Sequence, residues 1–401
     1  MTNYDPFSAS NVADPYPVYK QMRDEAPVWK GPKFGEVFVS RHADCVAILR
    51  DTERFSSDPS KLDIPEMEQT PAAIGGVFLS GKVMLFSDPP DHSRLRRLAQ
   101  HAFTPTAIER WRPRVAALVE EALAPYGPGD EFDLMAALAR PLPVVVIAEL
   151  LGVPVSDQEK FASWSTPLGR MIDPNDNVDE ADQSAAMVAA MEFVGYFNAL
   201  IDERRGALRD DVLSALIAAE DAGDRLSHQE LLINLILLLI AGHETTSNLI
   251  GNGALALCEN PSARDQFAAD PDGLARTAVD EFFRYDSPVQ MTVRTATVDV
   301  DIHGVTVEQG HQALVMLAGA NRDPAAFEQP DGLDLTRTPN NHLAFSNGIH
   351  FCLGAMLARM EGQVAFPALV KKFPELRRVD DALIYRPNMT LRGLAELQVT
   401  G

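Results

Sequence analysis

Cysteine is scarce in this chain, and so are the segments with which proteins enter membranes. Three cysteines among 401 residues are few, and odd in number, for a disulfide framework. The longest apolar stretch, around residues 231–241, is shorter than the roughly 20 residues that span a bilayer. The first residues, MTNYDPFSAS, have neither the basic nor the apolar region of a signal peptide. We therefore expect a cytoplasmic protein.

Basic residues are also in the minority. The chain has 35 Lys and Arg against 57 Asp and Glu, a net charge of −22, which disfavours nucleic acid or an anionic membrane as a partner. Its hydrophobic content of 46% is typical of a globular chain with a large core. Because no Gly/Ser-rich linker, charge block or internal repeat divides it, we predict a single domain over residues 1–401.

Helical periodicity and capping signals cover most of the chain, and strand signals are short. The predicted helices cover residues 14–25, 42–50, 89–101, 107–126, 133–151, 156–171, 181–205, 211–221, 227–259, 261–269, 274–285 and 353–366. The predicted strands cover residues 27–30, 36–40, 291–301, 305–307 and 312–318, with more after residue 384. The expected fold class is therefore mainly α with a smaller β-rich region.

Cys352 differs from the other two cysteines in its surroundings. Cys45 and Cys258 lie in apolar helical patterns and are predicted to be small buried hydrophobes. Cys352 comes directly before a predicted helix, where the helix dipole and free backbone N–H groups favour the thiolate. Thiolates are strong ligands for redox-active metals. Gly348 and Gly354 flank Cys352, so that the backbone can turn sharply and a large flat group can lie against it.

A second unusual segment, residues 241–246 with the sequence AGHETT, lies in the middle of the longest predicted helix. An acid beside a hydroxyl in an apolar helix is costly unless it is satisfied or used. Taken alone, a Thr245 hydroxyl bonded back to the carbonyl of residue 241 is the simpler interpretation. His243 is predicted to pack between helices. Asn248, one turn beyond Glu244, either orients water or simply packs.

The pattern formed by Phe345, Gly348, Cys352 and Gly354 resembles the haem-ligand loop of the cytochrome P450 family. The resemblance covers essentially the whole chain, because other motifs of the family appear in the expected order. It implies the P450 fold, a large helical domain with a smaller β-rich region. Haem b would lie between the long central helix and the cysteine-loop helix, with Cys352 as the axial ligand of the iron.

In the long helix, the resemblance assigns roles to the AGHETT segment. The small residues Ala241 and Gly242 would let the helix pass close over the haem. Thr245 would hydrogen-bond dioxygen, and Glu244 would belong to the path that delivers protons to it. Because a peroxide-using relative does not need this acid–alcohol pair in the same way, the pair favours dioxygen plus two electrons as the oxidant route.

Four further residues resemble the family's contacts to the haem propionates. His92 and Arg96 lie at positions i and i+4 of one predicted helix, and Arg294 and His350 lie far along the chain. Carboxylates need cationic or donor partners, which these residue types supply. An isolated His-x-x-x-Arg pattern would otherwise indicate only a solvated helix face.

The sequence Glu281-Phe-Phe-Arg284 resembles the family's structural Glu-x-x-Arg element, which is buried beneath the haem-ligand loop. Many members supply a third, basic partner next to an Arg-Phe pair, where this chain has Gly332-Leu333. Arg337 is the candidate for that third partner.

Electrons must come from another protein, since the chain has neither a Gly-x-Gly-x-x-Gly fingerprint after a strand nor a cysteine set for an iron–sulfur cluster. The resemblance implies NAD(P)H-derived electrons delivered by a ferredoxin or flavodoxin with its reductase. We expect a basic docking surface for an acidic ferredoxin. Its candidate residues are Arg94, Arg96, Arg97, Arg359, Lys371 and Lys372.

The implied activity is a monooxygenase that hydroxylates, epoxidises or dealkylates an apolar small organic molecule. The alternatives are a haem-thiolate peroxygenase, an oxidative coupling enzyme, an isomerase and a non-catalytic haem sensor. The long loop over residues 56–80 is predicted to form a wall of the substrate pocket, or else to be a variable surface loop. The expected substrate contacts are residues 72–79, 168–172, 236–241, 289–293 and 387–390.

Overall fold

A computed structural model describes residues 4, 9–31, 35–63, 82–100, 103–170, 180–209, 211–221, 226–379, 382–386 and 388–401. Helices dominate this part of the chain. They are α1 (Ala9–Ala13), α2 (Tyr16–Glu25), α3 (His42–Arg50), α4 (Asp91–Gln100), α5 (Pro105–Glu109), α6 (Arg112–Leu123), α7 (Pro141–Leu150), α8 (Gln158–Arg170), α9 (Glu180–Arg205), α10 (Val212–Asp221), α11 (His228–Glu259), α12 (Pro261–Ala269), α13 (Pro271–Tyr285), α14 (Leu317–Ala320) and α15 (Ala355–Lys372).

Short strands form the smaller, β-rich part. They are β1 (Val28–Lys30), β2 (Val37–Val39), β3 (Phe55–Ser56), β4 (Phe132–Asp133), β5 (Thr292–Ala296), β6 (Val300–Ile302), β7 (Val305–Val307), β8 (Gln312–Val315), β9 (Arg377–Arg378) and β10 (Gln398–Thr400). A five-stranded mixed sheet has the order β1-β2-β8-β5-β3, a second sheet the order β4-β10-β9, and β6 and β7 form a hairpin. In the largest sheet β2 runs parallel to β8, which pairs antiparallel with β5 and places Arg294 opposite Ala313.

The central element is α11, the longest of the described helices. It begins with a capping box, in which the Ser227 side chain accepts from the Glu230 N–H and the Glu230 carboxylate accepts from the Ser227 N–H. Its 32 residues span about 48 Å. Residues 231–240 are all buried, as expected of a helix that is apolar on every side. Helices α7, α8, α13 and α15 pack against it.

By length and composition α9 and α11 could each cross a membrane. The most apolar window of α11 is 83% buried inside the protein, and that of α9 is 39% buried. The burial of α11 is typical of the core helix of a globular protein.

A buried ion-pair network joins α13 to the segment over residues 330–340. Arg284 donates from Nε and Nη2 to Glu281 at 2.8 and 2.7 Å, and both side chains are 0% exposed. Arg337 Nε lies 3.0 Å from the same carboxylate, and Asn340 also donates to it, at 3.2 Å. Arg337 is therefore a third partner of the pair, with Asn340 as a fourth.

Several predicted helix bounds are confirmed, and α3 and α12 match at both ends. The predicted helix 107–126 is instead two helices, because Pro113 lies in the first turn of α6 and lacks the N–H that a continuous helix needs. Likewise 133–151 divides into β4, a π-helix (Met135–Ala139) and α7, which starts at Pro141. The predicted strand 312–318 ends at Val315 and is followed by α14.

The helix predicted over residues 353–366 begins later and ends later, as α15. It continues through Pro367, although an interior proline costs about 3 kcal/mol. Phe366, Leu369 and Val370 are each 0% exposed, and burial of each such side chain contributes about 1.5–3 kcal/mol. The free energy gained by burying these side chains therefore outweighs the cost of the interior proline. Of the predicted loop 56–80, residues 64–80 lie outside the described residues, as does His101 of the predicted helix 89–101.

We expect Glu281→Gln to destabilise the fold strongly, because it leaves two buried guanidinium groups without their carboxylate. The expected loss is about 3–5 kcal/mol in the free energy of unfolding, measured in urea. Asp24→Asn is the control, since it removes one member of the exposed pair with Lys20 and should cost less than about 1 kcal/mol. Equal losses in the two variants would contradict the structural role of Glu281.

Candidate functional site

The loop that carries Cys352 is held in a tight conformation by its backbone. Gly348 has a φ of +70°, and a Cβ there would lie 2.3 Å from the carbonyl oxygen of Leu49. The Cys352 N–H donates to the Phe345 carbonyl at 2.9 Å and closes the loop. The Asn347 side chain accepts from Arg50 of α3 at 2.9 Å. The loop is thus fixed against α3, and only glycine fits at position 348.

Cys352 lies three residues before the first residue of α15, with an exposed thiol. Although the residue is exposed, desolvation by the surrounding protein atoms raises the pKa of the Cys352 thiol. The backbone N–H groups of Gly354 and Ala355 and the cations Arg96 and Arg359 act in the opposite direction. These N–H groups and cations stabilise the thiolate as predicted, but their effect on the pKa of Cys352 is smaller than the effect of burial. A coordinated metal ion reverses this balance, because it deprotonates a thiol outright.

One face of α11 opens onto accessible space. Residues 231–240 and 246–257 are buried, whereas Ala241 is exposed and Gly242 and Thr245 are half-buried. A Cβ at Gly242 would lie 3.0 Å from Ile147, so packing of α11 against α7 accounts for this glycine. Ala241 and Thr245, at positions i and i+4, are the residues that open this face.

The hydroxyl of Thr245 donates to the Ala241 carbonyl at 2.7 Å, as expected when this segment is considered without the family resemblance. The neighbouring Glu244 is buried, and Arg386 Nη1 donates to its Oε2 at 2.5 Å. His243 Nδ1 lies 3.8 Å from Glu244 Oε1. Burial, with smaller effects of Arg386 and Arg140, lowers the pKa of His243 to about 4. His243 is therefore a neutral neighbour of the Glu244 carboxylate at neutral pH.

Sequence reasoning missed Arg386. The residue lies 142 positions from Glu244 in a segment without a helical pattern, and no spacing rule connects the two. Its Nη2 also donates to Asn248 Oδ1 at 2.5 Å, so Asn248 belongs to the same cluster. The only available signal was the rule that a buried acid needs a cation, which does not identify the cation.

The four predicted propionate contacts converge. The His92 and His350 rings lie 4.3 Å apart, and Arg294 and Arg96 are close enough to lower the pKa of both. Burial first, and then the neighbouring cations, lower the pKa of His350 to about 3. Burial also lowers the pKa of Arg294 to about 10.

This cationic cluster requires an anion. Among the described residues, the carboxylate that acts on it is Asp88, which already accepts from the Ser57 N–H at 2.9 Å. Within the same part of the chain, the buried Nε2 atoms of His92 and His350 have no hydrogen-bond partner. Buried polar atoms without partners are rare in folded proteins. The cluster therefore fits a ligand that carries carboxylates.

The residues present fit a haem. A haem offers two carboxylates for the cationic cluster and an iron for the Cys352 sulfur. At Gly354 a Cβ would meet nothing within 4 Å, so the chain is open there. In the described residues no group of three or more His, Cys, Asp or Glu could hold a metal ion.

The predicted substrate contacts are only partly described. Residues 72–79, 171–172 and 387 lie outside the described residues. Ile236 and Ile240 are 1% exposed and belong to the core, so Ala241 is the exposed residue of that segment. Residues 388–390 are half-buried, as are Val289 and Val293.

Most of the basic residues predicted to dock a ferredoxin already have partners within the protein. Arg94 pairs with Glu230 at 2.6 Å, and Arg359 pairs with Asp280 at 2.7 Å. Lys371 pairs with Asp272 at 2.7 Å, and Lys372 donates to the Leu123 carbonyl at 2.5 Å. Local acids thus reduce the net charge of the predicted docking surface, on which the side chains of Arg97 and Lys371 are exposed.

An exposed cysteine beside a helix start, an opened helix face and a cluster of arginines and histidines without an anion are the features expected of haem-thiolate proteins. The sequence model described as "Cytochrome P450" matches residues 38–272 and 273–392, and the chain belongs to the cytochrome P450 family. The predicted family and fold are therefore confirmed.

Curated relatives and solved structures agree with this assignment. The vitamin D(3) 25-hydroxylase of Pseudonocardia autotrophica is 40% identical, over 99% of this chain and 96% of its own. The 6-deoxyerythronolide B hydroxylase of Saccharopolyspora erythraea is 38% identical, over 98% and 97%. The ligand-free structure of CYP164A2 from Mycobacterium smegmatis has a TM-score of 0.88 and 40% identity, over 98% of both chains. The chain is an oxidoreductase of the P450 monooxygenase class and acts with haem and dioxygen on small organic molecules.

We expect Arg294→Gln to weaken haem retention, because a buried hydrogen bond to a charged group contributes about 1.5–3 kcal/mol. The rate of haem transfer to excess apomyoglobin should rise about tenfold to a hundredfold. Arg54→Gln is the control, since Arg54 is an exposed arginine paired with Asp51. Equal transfer rates in Arg294→Gln and the wild type would exclude Arg294 as a haem contact.

Proposed function

We propose that this chain is a cytoplasmic haem-thiolate monooxygenase that uses dioxygen and two externally supplied electrons to insert one oxygen atom into an apolar small molecule. The observation that carries the proposal is the exposed Cys352 close to Arg96, which belongs to a cluster with His92, Arg294 and His350. Within the described residues, the buried Nε2 atoms of both histidines lack a hydrogen-bond partner. Two relatives named as hydroxylases support the reaction type.

In this proposal Cys352 would bind the haem iron, and His92, Arg96, Arg294 and His350 would hold the propionates. The bound haem would supply oxygen activation, because electron density from a thiolate ligand favours O–O cleavage. The loop residues Phe345, Gly348 and Gly354 set the conformation of the Cys352 loop and the space beside it. Phe345 accepts the hydrogen bond that closes the loop, Gly348 allows its turn, and Gly354 keeps space for the flat cofactor.

On the opposite side, Ala241 and Thr245 face the space where dioxygen would bind, and Gly242 lets α11 approach α7. The Thr245 hydroxyl is proposed to turn from the Ala241 carbonyl and to hydrogen-bond dioxygen. Glu244 is proposed to supply the proton that Thr245 passes on. An acid in this position contributes typically 10²–10⁴-fold to a proton-transfer step, as an order of magnitude.

The alternatives of peroxygenase, coupling enzyme, isomerase and sensor are less well supported by the site. Glu244 is buried in an otherwise apolar helix and is paired with a cation 142 residues away. A buried charge of this kind destabilises the folded protein unless it is paired, and it is expected where the reaction or the fold uses it. Proton delivery to dioxygen is a use that the monooxygenase reaction requires.

The carbon monoxide complex of the reduced protein tests this proposal. We expect the long-wavelength Soret band of thiolate-ligated haem in the wild type and its loss in Cys352→Ser. Cys258→Ser is the matched control and should keep the band, because Cys258 packs against the hydrophobic core. A wild-type spectrum typical of histidine-ligated haem, or an unchanged band in Cys352→Ser, would overturn the proposal.

Electrons are proposed to come from NAD(P)H through a ferredoxin or flavodoxin and its reductase. Arg97, exposed on α4 in the same helix as His92 and Arg96, is the proposed centre of the docking surface. Since the chain has a net charge of −22, a local basic surface is needed to attract an acidic partner.

We expect Arg97→Glu to slow reduction by an acidic ferredoxin at low salt, with the difference from wild type shrinking as salt is added. Stopped-flow reduction of the carbon monoxide-trapped haem measures this rate. Lys20→Glu on α2 is the control for a change of overall charge. Wild-type rates and salt dependence in Arg97→Glu would argue against this docking surface.

A further inference from the structure

Arg359 lies over the ring of a residue in the Cys352 loop and is held there by an acid of α13. We propose that Asp280 is a positioning residue, which keeps the charge of Arg359 beside the Cys352 loop and thereby raises the reduction potential of the haem. The inference rests on the function proposed above, in which Cys352 binds the haem iron, and it adds Asp280 and Arg359 to the residues that act on that iron.

The Arg359 side chain connects α15 to α13 and to the cysteine loop. Its Nε donates to Asp280 Oδ1 at 2.7 Å. The central carbon of the guanidinium lies 4.4 Å from the centroid of the Phe345 ring, which is the geometry of a cation–π contact. Because the guanidinium is planar and its donors are fixed in direction, the bond to Asp280 keeps the group over the ring.

Asp280 is itself held by a buried histidine. His342 Nδ1 accepts from the Ala344 N–H at 3.3 Å, so the proton of the neutral ring is on Nε2, which lies 3.3 Å from Asp280 Oδ1. Burial lowers the pKa of His342, and the ring is therefore neutral at neutral pH. One oxygen of Asp280 thus accepts from both Arg359 and His342, and it cannot turn away without losing both bonds.

The ring under the Arg359 guanidinium belongs to the residue that closes the Cys352 loop. The Phe345 carbonyl accepts from the Cys352 N–H at 2.9 Å, and Phe345 is 6% exposed. The charge of Arg359 acts on the Cys352 sulfur, as does that of Arg96 on α4. Arg359 is therefore within electrostatic reach of the proposed iron ligand.

The position of this charge determines its effect on the potential. Reduction of the ferric haem adds one electron, from the reductase system or from dithionite in vitro, and so one negative charge. A nearby cation stabilises the reduced state, and this stabilisation decreases with distance. The Arg359 side chain is 29% exposed, so solvent is within its reach. An Arg359 that is released from Asp280 would extend into solvent, where its charge is screened.

Asp280 can act on the haem through its own charge or through Arg359, and the two routes have opposite signs. An anion disfavours the gain of an electron, so the removal of Asp280 would raise the potential if only its own charge mattered. If Asp280 positions Arg359, its removal lets the cation move away, and the potential falls. The sign of the change therefore identifies the route.

The test is a mediated dithionite titration of the haem in the holoenzyme without ferredoxin, so that docking does not contribute. We expect Arg359→Gln and Asp280→Ala each to lower the equilibrium constant for reduction about threefold to tenfold, that is by about 30–60 mV. Arg359→Lys, which keeps the charge, should recover part of the fall. Asp272→Ala is the matched control, because Asp272 pairs with Lys371 at 2.7 Å between the same two helices, and it should keep the wild-type potential.

Two further variants separate a positioning role from damage to the loop. In the Arg359→Gln background, Asp280→Ala should not lower the potential again, because Asp280 acts through Arg359. Asp280→Asn keeps an acceptor for His342 and should show a smaller fall, so it serves where the alanine variant does not bind haem. The carbon monoxide band of each variant shows whether the Cys352 loop is intact.

A wild-type potential in Arg359→Gln, an unchanged or raised potential in Asp280→Ala or Asp280→Asn, an equal fall in Asp272→Ala, or a further fall in the double variant would each overturn the inference. A wild-type carbon monoxide spectrum typical of histidine-ligated haem would instead overturn the proposed function. The two failures are therefore distinguishable.

Discussion

The close packing of α11 against α15 is the constraint on which the site depends. Gly253 and Gly362 allow it, since a Cβ at Gly253 would lie 2.4 Å from the ring of Phe366 and one at Gly362 would lie 3.3 Å from Leu249. Thr246 hydrogen-bonds Glu361, which is buried and has a raised pKa of about 8. Thr246 directly follows Thr245 on α11, and Glu361 lies on α15, which follows the loop that carries Cys352. This contact therefore fixes the position of Thr245 relative to Cys352.

The pattern of buried charges distinguishes structural positions from the cofactor position. Glu281 and Glu244 are both buried, and each has its cation within hydrogen-bond distance. Arg294 and His92 are buried as well, yet within the described residues the Nε2 atoms of His92 and His350 have no hydrogen-bond partner, and Arg294 and Arg96 lower the pKa of His350. A folded protein tolerates such a cluster when a ligand completes it, which is why perturbed groups mark functional sites.

Much of the fold and site could be predicted because the signals are local. The capping box at Ser227, the apolar run of α11 and the glycines around Cys352 each express a physical requirement within a few residues. The propionate cluster was reached through the family resemblance. Arg386 and the partners of Arg359 and Lys371 could not be predicted, since they depend on contacts between segments about 80 to 140 residues apart. Helix α15 extends through Pro367 because of tertiary packing, which sequence periodicity does not measure.

The central claim is that the enzyme places one atom of dioxygen in an organic molecule. Turnover under oxygen-18 gas, with a ferredoxin, its reductase, NAD(P)H and a compound that shifts the haem spin state, tests it most directly by mass spectrometry. The account predicts a product with one labelled oxygen atom and labelled water in equal amount. A product whose new oxygen comes from unlabelled water, or an oxidised product without added oxygen, would contradict it.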